Sequence, residues 1–342
     1  MKEQKDFKVN NFDLLRLLAA TQVIVDHYFQ HLNIPTSTFS KELLYLFPGV
    51  PVFFVISGYL ISASYERNNN LIIYFKNRAL RILPGLWGCI FITIIVLSLT
   101  GVSFFNKQTI AWLPSQLIGI IYTPGFLTNY GFGSYNGSLW TIPIELQFYI
   151  LLPICYFLIP KNKANYWFYA LLAVFVILNI VYGFSNFNYL INKLLRYSFI
   201  PQFYLFLAGV ILQRIRIYQS PIIYNKALYW IIGYALFSLT LPGFINPTLF
   251  LVIKNLLLAG CILSMAYTLP GTALKLLRTN DISYGIYIYH GLILTVMVQE
   301  KWVNYENIFL IIIMTYILAY LSWIFIEKPF IKRKEKTIRI TG

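Results

Sequence analysis

Apolar residues run through this 342-residue chain in long blocks broken by short polar stretches. Blocks of about 17–25 residues, long enough to cross a bilayer as a helix, lie at roughly 12–30, 43–65, 80–100, 139–160, 164–184, 199–215, 223–241, 249–269, 282–299 and 305–326. They predict ten membrane-spanning helices, hence an all-α integral membrane protein. A shorter apolar run at roughly 110–122, IAWLPSQLIGIIY, is assigned to an interfacial or re-entrant segment. Apolar segments joined by short polar ones leave no room for an independent aqueous core, so residues 1–342 are read as one transmembrane domain.

Composition strengthens this picture. The chain is 58% hydrophobic and only 11% charged, where soluble globules carry about 25% charged residues. An even number of spans puts both termini on one side of the membrane. On that side fall the basic residues of the lead (Lys2, Lys5, Lys8), of the loops (Arg67, Lys76, Arg78, Arg81, Lys161, Lys163, Arg214, Arg216, Lys226, Lys275, Arg278) and of the tail, about 327–342. The other side holds only Lys41, Lys107, Lys193, Arg196 and Lys301, which places both termini in the cytoplasm. The net charge of +15 then reads as a topology signal and a contact with anionic lipid. Nucleic acid is set aside as a partner, because the basic residues are spread over several loops instead of forming one patch. The polar lead, about residues 1–11, shows no cleavable signal. Cys89, Cys155 and Cys261 fall inside spans without CxxC spacing, and three histidines without clustered carboxylates offer no metal site.

Ionisable residues inside the apolar blocks mark the candidate chemistry, because each costs at least about 2.5–3.5 kcal/mol at the membrane centre unless paired or facing water. In the first span, FDLLRLLAATQVIVDH, Arg16 and His27 are eleven residues apart. That is about three helical turns, so both lie on one face roughly 16 Å apart, with Asp26 beside the histidine. Arg78 and Arg81 share a face just ahead of the third span and suit a phosphate-bearing ligand, although anchoring at the membrane surface explains them too. Ser57, Gly58 and Tyr59 interrupt the second span, where small residues also serve close helix packing. The outward loop at about 101–138 carries one charge, Lys107, and mixes aromatics with Gly, Asn and Ser, which suits a neutral hydroxylated ligand. It leads into SLWTIPIELQFY, with Trp140, and with Glu145 about two turns inside the membrane. A carboxylate there needs a polar partner or a proton; the first helix offers an imidazole or an arginine, and His27 is the one at similar depth. His290, in SYGIYIYH, is about 12 Å in from the cytoplasmic end of its span by helical rise. Lys254 has no evident partner, and in IFIEKPF Glu327 and Pro329 are expected to end the last helix as a salt-bridge and stop device. No fixed-period repeat, glycine-rich phosphate loop or GxSxG motif is present.

Taken together and in order, the Arg16-to-His27 spacing, FFVISGYL, RALRILP, SLWTIPIELQFY, SYGIYIYH and the closing IEKPF resemble the membrane-bound acyltransferase family 3. Members of that family pass acyl groups from acyl-coenzyme A to extracytoplasmic acceptors, often sugars. The resemblance implies that His27 is the principal catalytic residue, that Arg16 works with it, and that Arg78 and Arg81 help hold the coenzyme. It also implies about ten helices around an internal channel, and a bacterial inner or plasma membrane is the expected location. Many relatives carry an extracytoplasmic hydrolase-like domain after the helices; with Gly342 following a basic tail, no such fused domain is expected here. The combined expectation is an O-acyltransferase moving an acyl group, acetyl before others, from acyl-coenzyme A to a hydroxyl of an extracytoplasmic polysaccharide. Catalytic candidates are His27, Glu145 and Arg16; donor-side candidates are Arg78, Arg81, Ser57 and Tyr59; His290, Trp140 and Asp26 are supporting candidates. No tightly bound cofactor is expected, since the coenzyme is a substrate. His27 acts either as general base or through a covalent acyl-imidazole, and the residues leave both routes open. Competing readings are a transporter for a glycan or lipid-linked sugar, and a non-catalytic membrane subunit.

Overall fold

Long apolar stretches become helices because the hydrocarbon layer offers no water, so each backbone N–H and C=O must be satisfied within its own segment. The structure, a computed structural model, describes residues 7, 9–160, 164–302 and 307–332, and among these there is no β-strand. The basic lead and most of the basic tail lie outside the described residues. In order the helices are α1 (Phe12–His31), α2 (Thr38–Leu44), α3 (Gly49–Arg67), α4 (Leu71–Leu99), α5 (Lys107–Leu117), α6 (Thr141–Leu158) and α7 (Ala164–Phe184). They continue with α8 (Tyr189–Arg196), α9 (Phe203–Arg214), α10 (Ala227–Thr240), α11 (Pro247–Ala266), α12 (Thr272–Leu277), α13 (Ser283–Gln299) and α14 (Asn307–Ser322). Among the described residues six helical stretches are long and apolar enough to cross a membrane: Thr38–Arg67, Leu71–Leu99, Gly137–Leu158, Asn165–Phe184, Pro247–Ala266 and Asn307–Lys332.

The chain forms two compact units. The first comprises Met1–Ala19, Ser37–Asn70 and Gln147–Thr279. Its centre is the packing of α3 on α9. A Cβ on Gly58 would stand 2.0 Å from the Phe206 carbonyl oxygen, and one on Gly209 would stand 2.1 Å from that of Val55. The two backbones therefore touch, the close approach that small residues permit between membrane helices. At the C-terminal ends of α3, α6 and α9 the Glu66 carboxylate accepts from Tyr156 (2.8 Å) and Gln213 (3.2 Å) and pairs with Arg214, whose guanidinium lies over the Tyr156 and Phe168 rings. Lys254 has a partner after all: its ammonium donates to the Tyr45 carbonyl at 2.9 Å, just past the end of α2. Sequence reading missed it because a backbone carbonyl carries no mark in the sequence.

The second unit comprises Ala20–Thr36, Leu71–Leu146 and Asn280–Gly342. α13 runs through it buried on nearly all sides, and α4 and α14 pack against it. α4 starts at Leu71, well before the expected 80, so Arg78 and Arg81 stand within the helix and not ahead of it. The hydropathy pattern marks only the continuously apolar part of a helix, and the turns LIIYFKNRAL, broken by Lys76, Asn77 and Arg78, precede that part. α5 is an 11-residue helix, too short to cross the bilayer. The end of α14 corrects the helix-stop expectation. After Ser322 the chain makes a π-helical turn, Trp323–Glu327, and the helical stretch runs on through Pro329 to Lys332. The wider turn changes the hydrogen-bond register just before the proline, which is how a residue lacking an N–H is carried inside a helix.

Candidate active site

α13 is the element that assembles the site. Its sequence, SYGIYIYHGLILTVMVQ, carries polar side chains on consecutive turns of an apolar helix, and Tyr284, Tyr287, His290 and Thr295 each bond to a group of the second unit. His290 is fully buried. Its Nδ1 lies 3.2 Å from the Ile286 carbonyl one turn back, and its Nε2 lies 3.0 Å from Nδ1 of His27. One turn before it, Tyr287 accepts a hydrogen bond from Thr141 at the start of α6 (2.8 Å) and interacts electrostatically with Glu145. The Tyr287 and His290 rings lie 5.8 Å apart, centre to centre. His27, His290, Tyr287 and Glu145 thus converge in one region.

The loop at about 101–138 docks on this region. Asn136, almost fully buried, donates to the Ile288 carbonyl (2.8 Å), and its side-chain oxygen accepts from Ser138 Oγ (2.6 Å). A Cβ on Gly291 would fall 2.2 Å from that oxygen, so the loop can dock on α13 only because residue 291 has no side chain. Tyr135, whose phenol is pushed well above its usual range by burial, stays a donor and bonds Gln116 at 2.6 Å. Phe132 stacks on His31 with ring centres 4.0 Å apart, and His31 contacts His27 edge-on at 5.5 Å. Asp26 accepts from Gln30 on its own helix (2.8 Å). Trp140 ends the short 3-10 turn Gly137–Trp140 that leads into α6.

The start of α13 holds a second polar group. Arg81 pairs with Asp281, and Asp281 Oδ1 also accepts from the backbone N–H of Ser283 (3.3 Å). Glu327 accepts from Ser322 (2.9 Å) and interacts electrostatically with both Arg81 and Asp281. Arg78 lies 6.0 Å from the centre of the Tyr74 ring. Ser283 and His290 are seven residues apart, about 10 Å along α13 by helical rise, and the Arg81–Asp281 pair stands just before Ser283.

The other candidates belong to the first unit. Arg16 donates to Asp13 at 2.5 Å. Tyr59 is buried and its hydroxyl lies 3.1 Å from that of Tyr267, while no partner is found for Ser57 Oγ among the described residues. α1 is one unbroken helix carrying Arg16 and His27, as their spacing predicts. Sequence reasoning did not single out Asp281, Tyr287, His31, Asn136 or Phe132. For His31 a signal existed, since it stands four residues from His27 and so on the same face.

Comparison with known proteins decides the class. The acyltransferase domain family matches residues 9–327. The chain belongs to this family. This acyltransferase is 31% identical to nodulation protein 10 of Rhizobium leguminosarum bv. viciae over 96% of its length and 95% of that protein. It is 27% identical to an O-acetyl transferase of Shigella phage Sf6, over 97% and 99% of the two chains. O-acetyltransferase OatA of Staphylococcus aureus is 29% identical over 44% of this acyltransferase and 27% of its own length. No solved structure matches. The resemblance carried by the six sequence blocks is therefore borne out, and acyl transfer is favoured over transport.

Proposed function

We propose that this membrane enzyme is an O-acetyltransferase that moves an acetyl group from acetyl-coenzyme A to a hydroxyl of an extracytoplasmic polysaccharide. The observation that carries the reading is His27, in hydrogen-bond reach of a fully buried histidine and close to Tyr287 and Glu145, beneath a loop rich in aromatics and amides. The names of the phage and staphylococcal relatives support O-acetyl transfer.

Four further helices, Phe12–His31, Phe203–Arg214, Ala227–Thr240 and Ser283–Gln299, join the six long apolar ones to make ten spans. Both termini then lie in the cytoplasm, here a bacterial one. Coenzyme phosphates bind from that side near Arg78 and Arg81, and Arg16, three turns from His27 on its helix, draws in the anionic donor. His27 takes the proton of the acceptor hydroxyl as its oxygen attacks the thioester carbonyl. The new C–O bond forms, the C–S bond breaks, and the imidazolium returns the proton to the departing thiolate. Glu145 stabilises the transient imidazolium electrostatically.

Radiolabelled acetyl-coenzyme A supplied to inverted membrane vesicles with an extractable glycan tests this. The intact protein should deposit label as a base-labile ester, and His27→Ala at equal abundance should deposit none. Equal labelling by both would remove His27 from the chemistry.

A further inference from the structure

Two contacts made by His290 contain more information than a pair of distances. A carbonyl oxygen can only accept, so the 3.2 Å contact with the Ile286 carbonyl requires the proton of His290 to sit on Nδ1. A neutral imidazole has one N–H, which leaves a lone pair on Nε2. Nε2 faces Nδ1 of His27 at 3.0 Å, so His27 must be the donor there. The proton of His27 is then on Nδ1, and its Nε2 is an open lone pair, the form a general base needs. The opposite polarity requires a doubly protonated His290, and it would leave His27 with Nε2–H and nothing to accept a proton with. Among the described residues no carboxylate hydrogen-bonds to His290 to hold such a cation.

We infer that His290 is a positioning residue which, through the chain Ile286 carbonyl to His290 to His27, fixes the tautomer of the catalytic histidine. This rests on the reading of His27 as the base. The arrangement does with an imidazole what a buried carboxylate does in a hydrolase triad, where it holds the base in one tautomer and stabilises the imidazolium. When His27 takes the acceptor proton, its Nδ1–H becomes a charge-assisted donor and the bond to His290 strengthens as charge develops. The other polar groups facing the pair are His31 on α1, Tyr287 on α13 and, through Tyr287, Glu145 on α6. None of them hydrogen-bonds to Nδ1 of His27 among the described contacts.

The test uses the vesicle assay with His290→Leu, His290→Gln and His290→Asn beside His27→Ala. His290→Leu should lower kcat by about 100-fold or more with both KM values unchanged, a loss of the size of general base catalysis. His290→Gln should stay within about tenfold of the intact enzyme, because its side-chain carbonyl reaches the place of Nε2 and accepts from His27. The shorter His290→Asn should be no better than leucine. Equal activity of the Gln and Asn variants, or full activity of His290→Leu, would overturn the inference while leaving His27 in place; activity of His27→Ala would instead overturn the base assignment. Histidine-selective 15N spectra of the intact protein in nanodiscs give a readout independent of variant folding. Three histidines make assignment direct, and His27 should be protonated at Nδ1. Protonation at Nε2 alone sinks the idea.

Discussion

Arg81 answers to two partners. Asp281, 6% exposed at the turn before α13, pairs with it, and Glu327 acts on it from the π-helical turn. A coenzyme phosphate would be a further anion at the same guanidinium, so the loss of Arg81 has a structural and a functional component. Removing one partner of a buried ion pair strands the other charge and costs about 3–5 kcal/mol, less here because Arg81 is 29% exposed. Arg81→Ala should therefore lower the melting temperature in detergent and raise the donor KM together. Replacing both partners, Arg81→Met with Asp281→Leu, removes the stranded charge and should recover most of the melting temperature but not the donor KM. Recovery of both would show that the donor phosphates bind elsewhere. Residue-level contacts of this kind were the least legible part of the sequence. Arg81 was visible as a basic residue, but its partner is 200 positions away. His27 and His290 illustrate the same limit. Helical rise from the apparent start of each span puts His27 about 22 Å deep and His290 about 12 Å, yet their rings are 5.1 Å apart. Depth counted along single helices ignores tilt and offset, so the sequence suggested Glu145 as the partner of His27 and passed over the other imidazole.

At the scale of elements, the centre of the contact of α3 with α9 is made by backbone, with side chains joining the two helices at their C-terminal ends. A methyl on Gly58 would meet the Phe206 carbonyl at 2.0 Å, and no rotamer change can move a helix backbone out of the way. Gly58→Ala should destabilise by about 1–3 kcal/mol or more, the range for overpacking a filled interior. Gly233, in α10, meets nothing within 4 Å, so Gly233→Ala should leave stability unchanged or slightly raised. Thermal unfolding of the two variants in one detergent decides this, and equal shifts would mean that α3 and α9 are not tightly packed. Elements were the most legible level, because an apolar run with no polar backbone partner has one solution in lipid. Even so, the sequence could not show that Gly58 meets the backbone of Phe206 and Gly209 that of Val55, nor that a π-helical turn precedes Pro329 in a continuing helical stretch. Periodicity records which residues are apolar, while register against a neighbour and a one-residue expansion of a turn are products of packing.

For the whole molecule the decisive property is sidedness. In the proposed topology the start of α13, with Asp281 and Arg81, faces the cytoplasm, and the loop with a single charge, Lys107, faces outward. His290 sits about 10 Å along α13 from its start, next to which Asp281 pairs with Arg81, and His27 contacts it there. A donor whose phosphates are held at the cytoplasmic end can therefore extend its acyl arm inward to the base, while the acceptor sugar approaches beneath the outer loop. A multiply charged coenzyme does not cross a bilayer, so in the proposed reaction the donor and an extracytoplasmic acceptor arrive from opposite sides. Sealed inside-out vesicles given external radiolabelled acetyl-coenzyme A should form ester in their lumen, protected from an added esterase until detergent opens them. Sealed right-side-out vesicles given the same donor should form none until permeabilised. Labelling of right-side-out vesicles without detergent, or ester exposed on the donor side, would mean that donor and acceptor share one face, and the arginine and histidine pairs could not then serve opposite substrates.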